Sequence, residues 1–306
     1  MTVFVELAVG DSEGQVSVAA ADAIARVAQS VNASGIRLVD AVDGRRTIDP
    51  SIVGSYLAGR YGHLGYLIDA RTTHNAPYNL ARRVLSLDRA TDGRVGVVLQ
   101  PGDSDEVSAA TTPDPPASDP SERWVEYAEI VSRLWESFPR EALLGDQERA
   151  TFVDDTLIAP INHEGRFYRV AGPLDGPASV QGRPVVVAAA PAALGWSQVA
   201  VVADVVIVER DNIEGADAAL SAALDSAGRR RTDVALLARL TGAVDAVEVK
   251  KWAPDNGVDG FVLATTGRDD AAVLDLVRDV VPQLAGPIGR TLRSTLALRE
   301  SAEVFA

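Results

Sequence analysis

Cysteine is absent from the 306 residues, which excludes disulfides, thiolate metal sites and cysteine nucleophiles. Histidine is scarce: His63, His74 and His163 are the only three, no H-E-x-x-H spacing occurs, and no metal is expected. Positive charge is also short, with 29 Lys and Arg against 43 Asp and Glu. The net charge of −14 and pI near 4.7 argue against nucleic acid or an anionic membrane as partner, because both require a basic surface. No apolar run reaches membrane length, and the opening MTVFVELAVGDSEG carries acidic residues and no basic start, so a cytoplasmic protein is expected.

What the chain has in quantity is apolar residues, 47% of the total, enough to bury a sizeable core. Val185 to Ala190 is an unbroken apolar run that reads as a strand buried on both faces; Pro191 ends it. Small apolar residues at helical spacing follow over Ala192 to Ala203, and Val205 to Val208 is a second buried strand. The same alternation recurs along the chain, with strands starting near residues 3, 36, 64, 94, 185, 205, 234 and 260 and a helix after each. Repeated strand–helix units of this kind predict an α/β fold, a (β/α)8 TIM barrel formed as one domain over residues 1–306.

Three segments depart from that rhythm. Residues 103–121, rich in Pro, Ser, Thr and Asp, read as a flexible surface loop. Residues 154–170 offer two strand-like runs around His163-Glu164-Gly165 and read as an inserted hairpin, with His163 in a structural role. Between these, Ser121 to Phe138 is an amphipathic helix placing Trp124, Tyr127, Val131, Leu134 and Trp135 on one face, a core stripe rather than a cofactor box. The last helix is expected over Asp270 to Leu284.

Several stretches carry a resemblance. Gly172-Pro173-Leu174 and Gln181-Gly182-Arg183-Pro184 match the pattern G-P-L-x-x-P-x-x-x-Q-G-R-P-V-x-x-Q-A-G-x-S-x-x-G-R. Pro77 to Leu99 is similar to H-P-Y-x-L-A-R-x-x-x-x-L-D-x-x-S-x-G-R, and Gly257 to Phe261 with the tail around Thr291-Leu292-Arg293 matches as well. These are patterns of the luciferase-like flavin-dependent monooxygenases, in the branch of nitrilotriacetate and dibenzothiophene-sulfone monooxygenases, which the chain resembles over most of its length. It differs by a reduced insertion after the seventh strand, between Leu240 and Gly260.

The resemblance implies reduced FMN, supplied by a separate flavin reductase, a small organic substrate, and a homodimer or pairing with a homologue. It places the flavin phosphate on Ala190, Ala192, Ala193, Leu194 and Gly195, and the flavin ring beside Val98. At these positions the family's glycine, serine and asparagine are replaced by Ala190, Ala192 and Val98; Ala188 and Trp196 replace a glutamine and an arginine, and only Gly195 is kept. A serine hydroxyl and an arginine lost from a phosphate remove roughly 1.5–3 kcal/mol apiece, so FMN binding is expected to be weak.

In a parallel barrel the ligand meets residues just after each strand. Here these include Asp69, Arg71, Gln100, Arg210, Thr241, Thr265 and Thr266, with Asp40, His74 and Asn75 as pocket candidates. No Ser-His-Asp arrangement stands out among them. Flavin oxygenases need few acid–base side chains, because the cofactor carries the chemistry and the protein supplies position and excludes water. Two functions therefore stand open: an FMN-dependent monooxygenase, and a non-catalytic barrel paralogue without flavin that serves as a structural or regulatory subunit. A deazaflavin enzyme is a third option.

Overall fold

The computed structural model describes residues 1–102, 119–264 and 270–299. Eight parallel strands close into a barrel: β1 (Thr2–Leu7), β2 (Gly35–Leu38), β3 (Gly65–Arg71), β4 (Val95–Gln100), β5 (Val185–Ala189), β6 (Val205–Glu209), β7 (Ala235–Thr241) and β8 (Gly260–Ala264). Closure is made by β1, which pairs with β8 at Val3–Phe261 and with β2 at Phe4–Gly35. Gly35 is required there, since a Cβ would lie 2.2 Å from the Gly65 carbonyl oxygen.

Strand residues alternate between two cores. Phe4, Leu67, Val98, Val187, Val205, Leu237 and Val262 fill the lumen, which Leu292, Leu296 and Leu298 of the C-terminal segment close from below. Ile36, Ile68, Val97, Val186, Val206, Leu236 and Phe261 face outward against the helices. Each fully buried Leu, Val or Phe contributes roughly 1.5–3 kcal/mol.

The helices are α1 (Val18–Ser30), α2 (Pro50–Ala58), α3 (Pro77–Ala90), α4 (Pro120–Glu136), α5 (Trp196–Val202), α6 (Ala216–Ser226), α7 (Ala246–Asp255) and α8 (Asp270–Asp279). In α4 all five stripe residues are fully buried, and the indoles of Trp124 and Trp135 donate to the carbonyls of Leu99 and Ala81. The expected loop over 103–121 ends earlier than its composition suggests, because Asp119 caps α4 by accepting from the amides of Ser121 and Glu122; residues 103–118 lie outside the described residues. The expected last helix is broken, α8 giving way to a separate turn, Val281–Leu284, that contains Pro282.

The inserted segment also departs from expectation. Pairing within 154–170 is confined to His163–Glu164 with Arg169–Val170, and Asp155–Leu157 is a 3-10 turn. A second small hairpin, Leu143–Asp146 with Thr151–Val153, precedes it. Glu126 of α4 holds the 163–170 hairpin by accepting from the amides of Phe167 and Tyr168, with His163 Nε2 at 2.9 Å. His163 is thus bound into the scaffold.

Candidate functional site

At the carboxyl end of the barrel the lumen changes character. The next inward residues above Phe4, Gly35, Leu67, Val98, Ile207 and Leu237 are Glu6, Arg37, Asp69, Gln100, Glu209 and Arg239. They form a connected ion-pair floor. Arg37 donates from Nε and Nη2 to both Asp69 oxygens, 3.0 Å each, and from Nη1 to Glu6 at 2.9 Å. Arg239 donates to both Glu6 oxygens at 2.9 and 2.6 Å and to Glu209 at 3.0 Å, while the Gln100 amide donates to Asp69 at 3.0 Å.

Buried ions are tolerated only when paired in this way. Burial works against the charge on Arg37, but Asp69 and Glu6 outweigh it and hold the guanidinium above its ordinary value. Burial likewise pushes Glu6 up, and Arg37 with Arg239 brings it below the usual carboxylate range. Asp69 stays above that range because burial exceeds what Arg37 offsets. Over this floor lies a cavity of about 500 Å³ that also reaches Ala189, Ala190, Asp40, Asp43 and Arg71, a volume typical of small-molecule sites.

A smaller cavity of about 210 Å³ adjoins it, sharing Asp40, Asp69 and Arg71 as a wall. Here the structure brings together the three pocket candidates, for Asp40, His74 and Asn75 all line it, with Arg46 and Arg83. Arg71 Nε donates to Asp40 at 2.7 Å, Arg83 donates to the Asn75 side chain at 2.6 Å, and Arg46 Nη2 lies 2.6 Å from His74 Nε2. That last contact requires His74 Nε2 to offer its lone pair.

The β5 turn lies on the other side of the mouth, and of its five matched positions only Ala190 reaches the larger cavity. Ala190 lines the larger cavity and has φ of +53°, the left-handed conformation where the family places glycine. Ala192, Ala193, Leu194 and Gly195 lie beyond that lining. Three amides of this turn are already used, Ala190 donating to the Ile207 carbonyl, Ala193 to that of Ala190 and Gly195 to that of Pro191. Gly195, at φ +89°, separates the helical turn Pro191–Leu194 from α5, so the helix expected over 192–203 is two pieces.

Val98 is fully buried in the apolar lumen, below the floor rather than facing the cavity. Ala188 faces the helix layer, and Trp196 packs partly buried against the same layer. Nearby cations do not replace the missing arginine: Arg210 pairs with Glu248 and stacks on Trp252, and Lys250 donates to the Gln283 carbonyl. Thr241 ends β7 and is exposed, while Thr265 and Thr266 lie outside the described residues.

Gln181, Arg183 and Arg293, in segments that resemble the family pattern, lie at the opposite end. Gln181 donates to Asp88 and to the Val95 carbonyl and accepts from the Arg293 amide. Arg183 and Arg293 share the buried carboxylate of Asp204. Burial raises Asp88 to about 6 despite hydrogen bonds from Ser179, Val95 and Gln181. Asp204 is held below its ordinary range, because Arg183, Arg293 and the Val186 amide outweigh burial.

Sequence reasoning missed Glu6, Arg37, Glu209 and Arg239. Their signal was parity: each is a charged residue two places beyond an inward position of an otherwise apolar strand.

A family model described as luciferase-like monooxygenase matches residues 1–253. One of the subunits of pristinamycin IIA synthase from Streptomyces pristinaespiralis is 29% identical over 260 residues, covering 83% of this chain and 80% of that protein. Nitrilotriacetate monooxygenase component A of Aminobacter aminovorans is 31% identical over 175 residues, 56% of this chain but only 39% of its own length. Among solved structures, riboflavin lyase with modified FMN and its substrate riboflavin superposes with a TM-score of 0.82 at 18% identity, over 97% of this chain and 95% of that one. That likeness is one of fold.

Proposed function

Because this chain belongs to the luciferase-like monooxygenase family of flavin-dependent monooxygenases, we propose that it is the oxygenase component of a flavin system acting on a small organic substrate. The observation that carries the reading is the cavity of about 500 Å³ at the carboxyl ends of the strands, bordered by a left-handed residue, Ala190, where the family's glycine would stand. Its volume suits a flavin ring, and the Ala190–Gly195 turn suits a phosphate through backbone rather than side chain. In this proposal FMN, when bound, supplies the activation of dioxygen.

The chain's own groups do the rest. The Ala192 amide and the start of α5 would hold the phosphate, without a serine hydroxyl or an arginine. Glu6, Arg37, Asp69 and Arg239, already paired, present fixed polarity that needs no rearrangement as the reaction proceeds. The apolar lumen beneath them, Leu67 and Val98 included, keeps water out. Asp40, His74 and Asn75 contact the substrate from the adjoining cavity.

The nitrilotriacetate relative is named as one component of its monooxygenase and the pristinamycin relative as one part of its synthase, which supports a separate reductase delivering reduced FMN. We propose further that residues 1–306 act as one domain in the cytoplasm, as a homodimer or paired with a homologue. Ile52 and Tyr56, four residues apart on α2 and 60% and 42% exposed, support pairing, and light scattering at micromolar protein tests it. Among the described residues no helix is long and apolar enough to cross a membrane.

Stopped-flow reoxidation of reduced FMN by oxygen tests the oxygenase reading without a known substrate. Stoichiometric protein is expected to alter the time course of absorbance recovery at high protein concentration. An unchanged time course at saturating protein returns the chain to the non-catalytic alternative.

A further inference from the structure

The adjoining cavity of about 210 Å³ has an unusual charge arrangement. Three arginines line it, from three different segments: Arg46 from the loop after β2, Arg71 from the end of β3 and Arg83 from α3. The carboxylates beside them are largely committed elsewhere. Asp69 is held by Arg37 and Gln100. Asp49 caps α2, one oxygen accepting from the Ser51 amide and hydroxyl, and its other oxygen stands 3.8 Å from Arg83, beyond hydrogen-bond distance. Asp40 alone bonds directly to one of the three guanidinium groups.

Arg71 is the centre of the arrangement. It stands in the wall shared by both cavities, 31% exposed, and Asp40 takes only its Nε. Its two terminal nitrogens form an unclaimed fork, whereas those of Arg37 and Arg239 are taken up by Asp69, Glu6 and Glu209. Arg83 adds a buried Nε that lacks a partner. Arg46 Nη2 lies against His74 Nε2, and none of the carboxylates recorded among the described residues pairs with it. A planar oxyanion is the ligand such a fork matches, through two parallel charge-assisted hydrogen bonds.

We propose that this cavity is an anion subsite of the barrel mouth, in which Arg71, assisted by Arg46 and Arg83, takes a carboxylate of the substrate. The substrate class is therefore a small organic carboxylic acid whose remainder extends into the larger cavity. This rests on the oxygenase reading only for the word substrate; the anion site itself stands on the arginines. In a chain of net charge −14, guanidinium nitrogens left without a carboxylate partner draw a substrate anion to this cavity.

The test is calorimetric titration of the full chain with succinate, with succinamide as the uncharged control and FMN titrated separately. Succinate is expected to saturate at a dissociation constant on the order of 1 mM, and succinamide to give no saturation. Arg71→Gln is expected to weaken succinate about tenfold or more, and Arg46→Gln, at an exposed position outside the lining of the larger cavity, to weaken it less while leaving FMN unchanged. If Arg71→Gln does not fold, Arg46→Gln carries the comparison. Equal binding of succinate and succinamide, no succinate binding, or variants that bind like wild type overturn the proposal. Weakened FMN with unchanged succinate in Arg71→Gln also overturns it, assigning the fork to the flavin phosphate. Succinate binding without any FMN binding leaves the subsite standing and removes the oxygenase reading instead.

Discussion

The two ends of this barrel have kept different things. At the bottom, Asp88, Gln181, Arg183, Asp204 and Arg293 form one buried hydrogen-bonded network, and Gln181, Arg183 and Arg293 lie in segments that match the family pattern. At the top, the positions that the resemblance matches to flavin contacts hold Ala190, Ala192, Ala193, Leu194, Gly195 and Val98, and an ion-pair floor spans the lumen. The bottom network fastens the strand starts to the C-terminal plug, so losing a member destabilises the barrel whatever its mouth binds. The mouth answers only to its ligand. Part of the likeness to the family is therefore carried by residues that build the barrel rather than by residues at its mouth.

The largest effect expected from this contrast is at the bottom. Asp204→Ala leaves Arg183 and Arg293 without their shared carboxylate, and the cost is about 3–5 kcal/mol in urea unfolding. A loss below about 1 kcal/mol would show that the network is not what holds this end.

Asp88 gives the next effect, and it is pH-dependent. Its folded pKa of about 6 lies above the ordinary 3.8, so its favourable contribution is complete below pH 4 and is lost as pH rises through 6. Asp88→Asn cannot titrate but keeps an acceptor for Val95 and Gln181. The stability of wild type minus that of Asp88→Asn should therefore grow by about 2–3 kcal/mol from pH 7 to pH 4, measured by urea unfolding at each pH. A difference independent of pH would place Asp88 in a more polar setting than its hydrogen bonds indicate.

At the mouth, the backbone predicts a smaller gain. Ala190 holds a left-handed conformation that glycine adopts without strain, so Ala190→Gly should stabilise the fold by about 0.5–1 kcal/mol in thermal unfolding. Destabilisation would mean that the turn is not strained in solution.

The barrel was legible because its signals are local: apolar runs such as Val185 to Ala189 and Val205 to Val208, and breakers such as Pro191, recur at the period of a strand–helix unit. The buried stripe of α4 was legible for the same reason. Cap chemistry set limits that composition blurred, since Asp119 starts α4 inside a stretch that otherwise reads as loop. The site was harder to read because it depends on height within the lumen. Val98 and Gln100 are two residues apart, yet one lies in the apolar core and the other borders the cavity. Glu6 and Arg239 are distant in sequence and meet only because β1, β8 and β7 are neighbours in the closed sheet. Asp40, His74 and Asn75 come together because each follows β2 or β3, adjacent strands of that sheet.

The claim that the mouth has kept a flavin-sized space but lost its side-chain contacts is tested most directly by titrating FMN, followed by fluorescence quenching, into wild type and into the double variant Ala192→Ser with Trp196→Arg. Wild type is expected to bind saturably with a dissociation constant above about 1 µM, and the double variant, once shown to be folded, several-fold more tightly or better. Sub-micromolar binding by wild type, or no gain from restoring the hydroxyl and the guanidinium, would contradict the account.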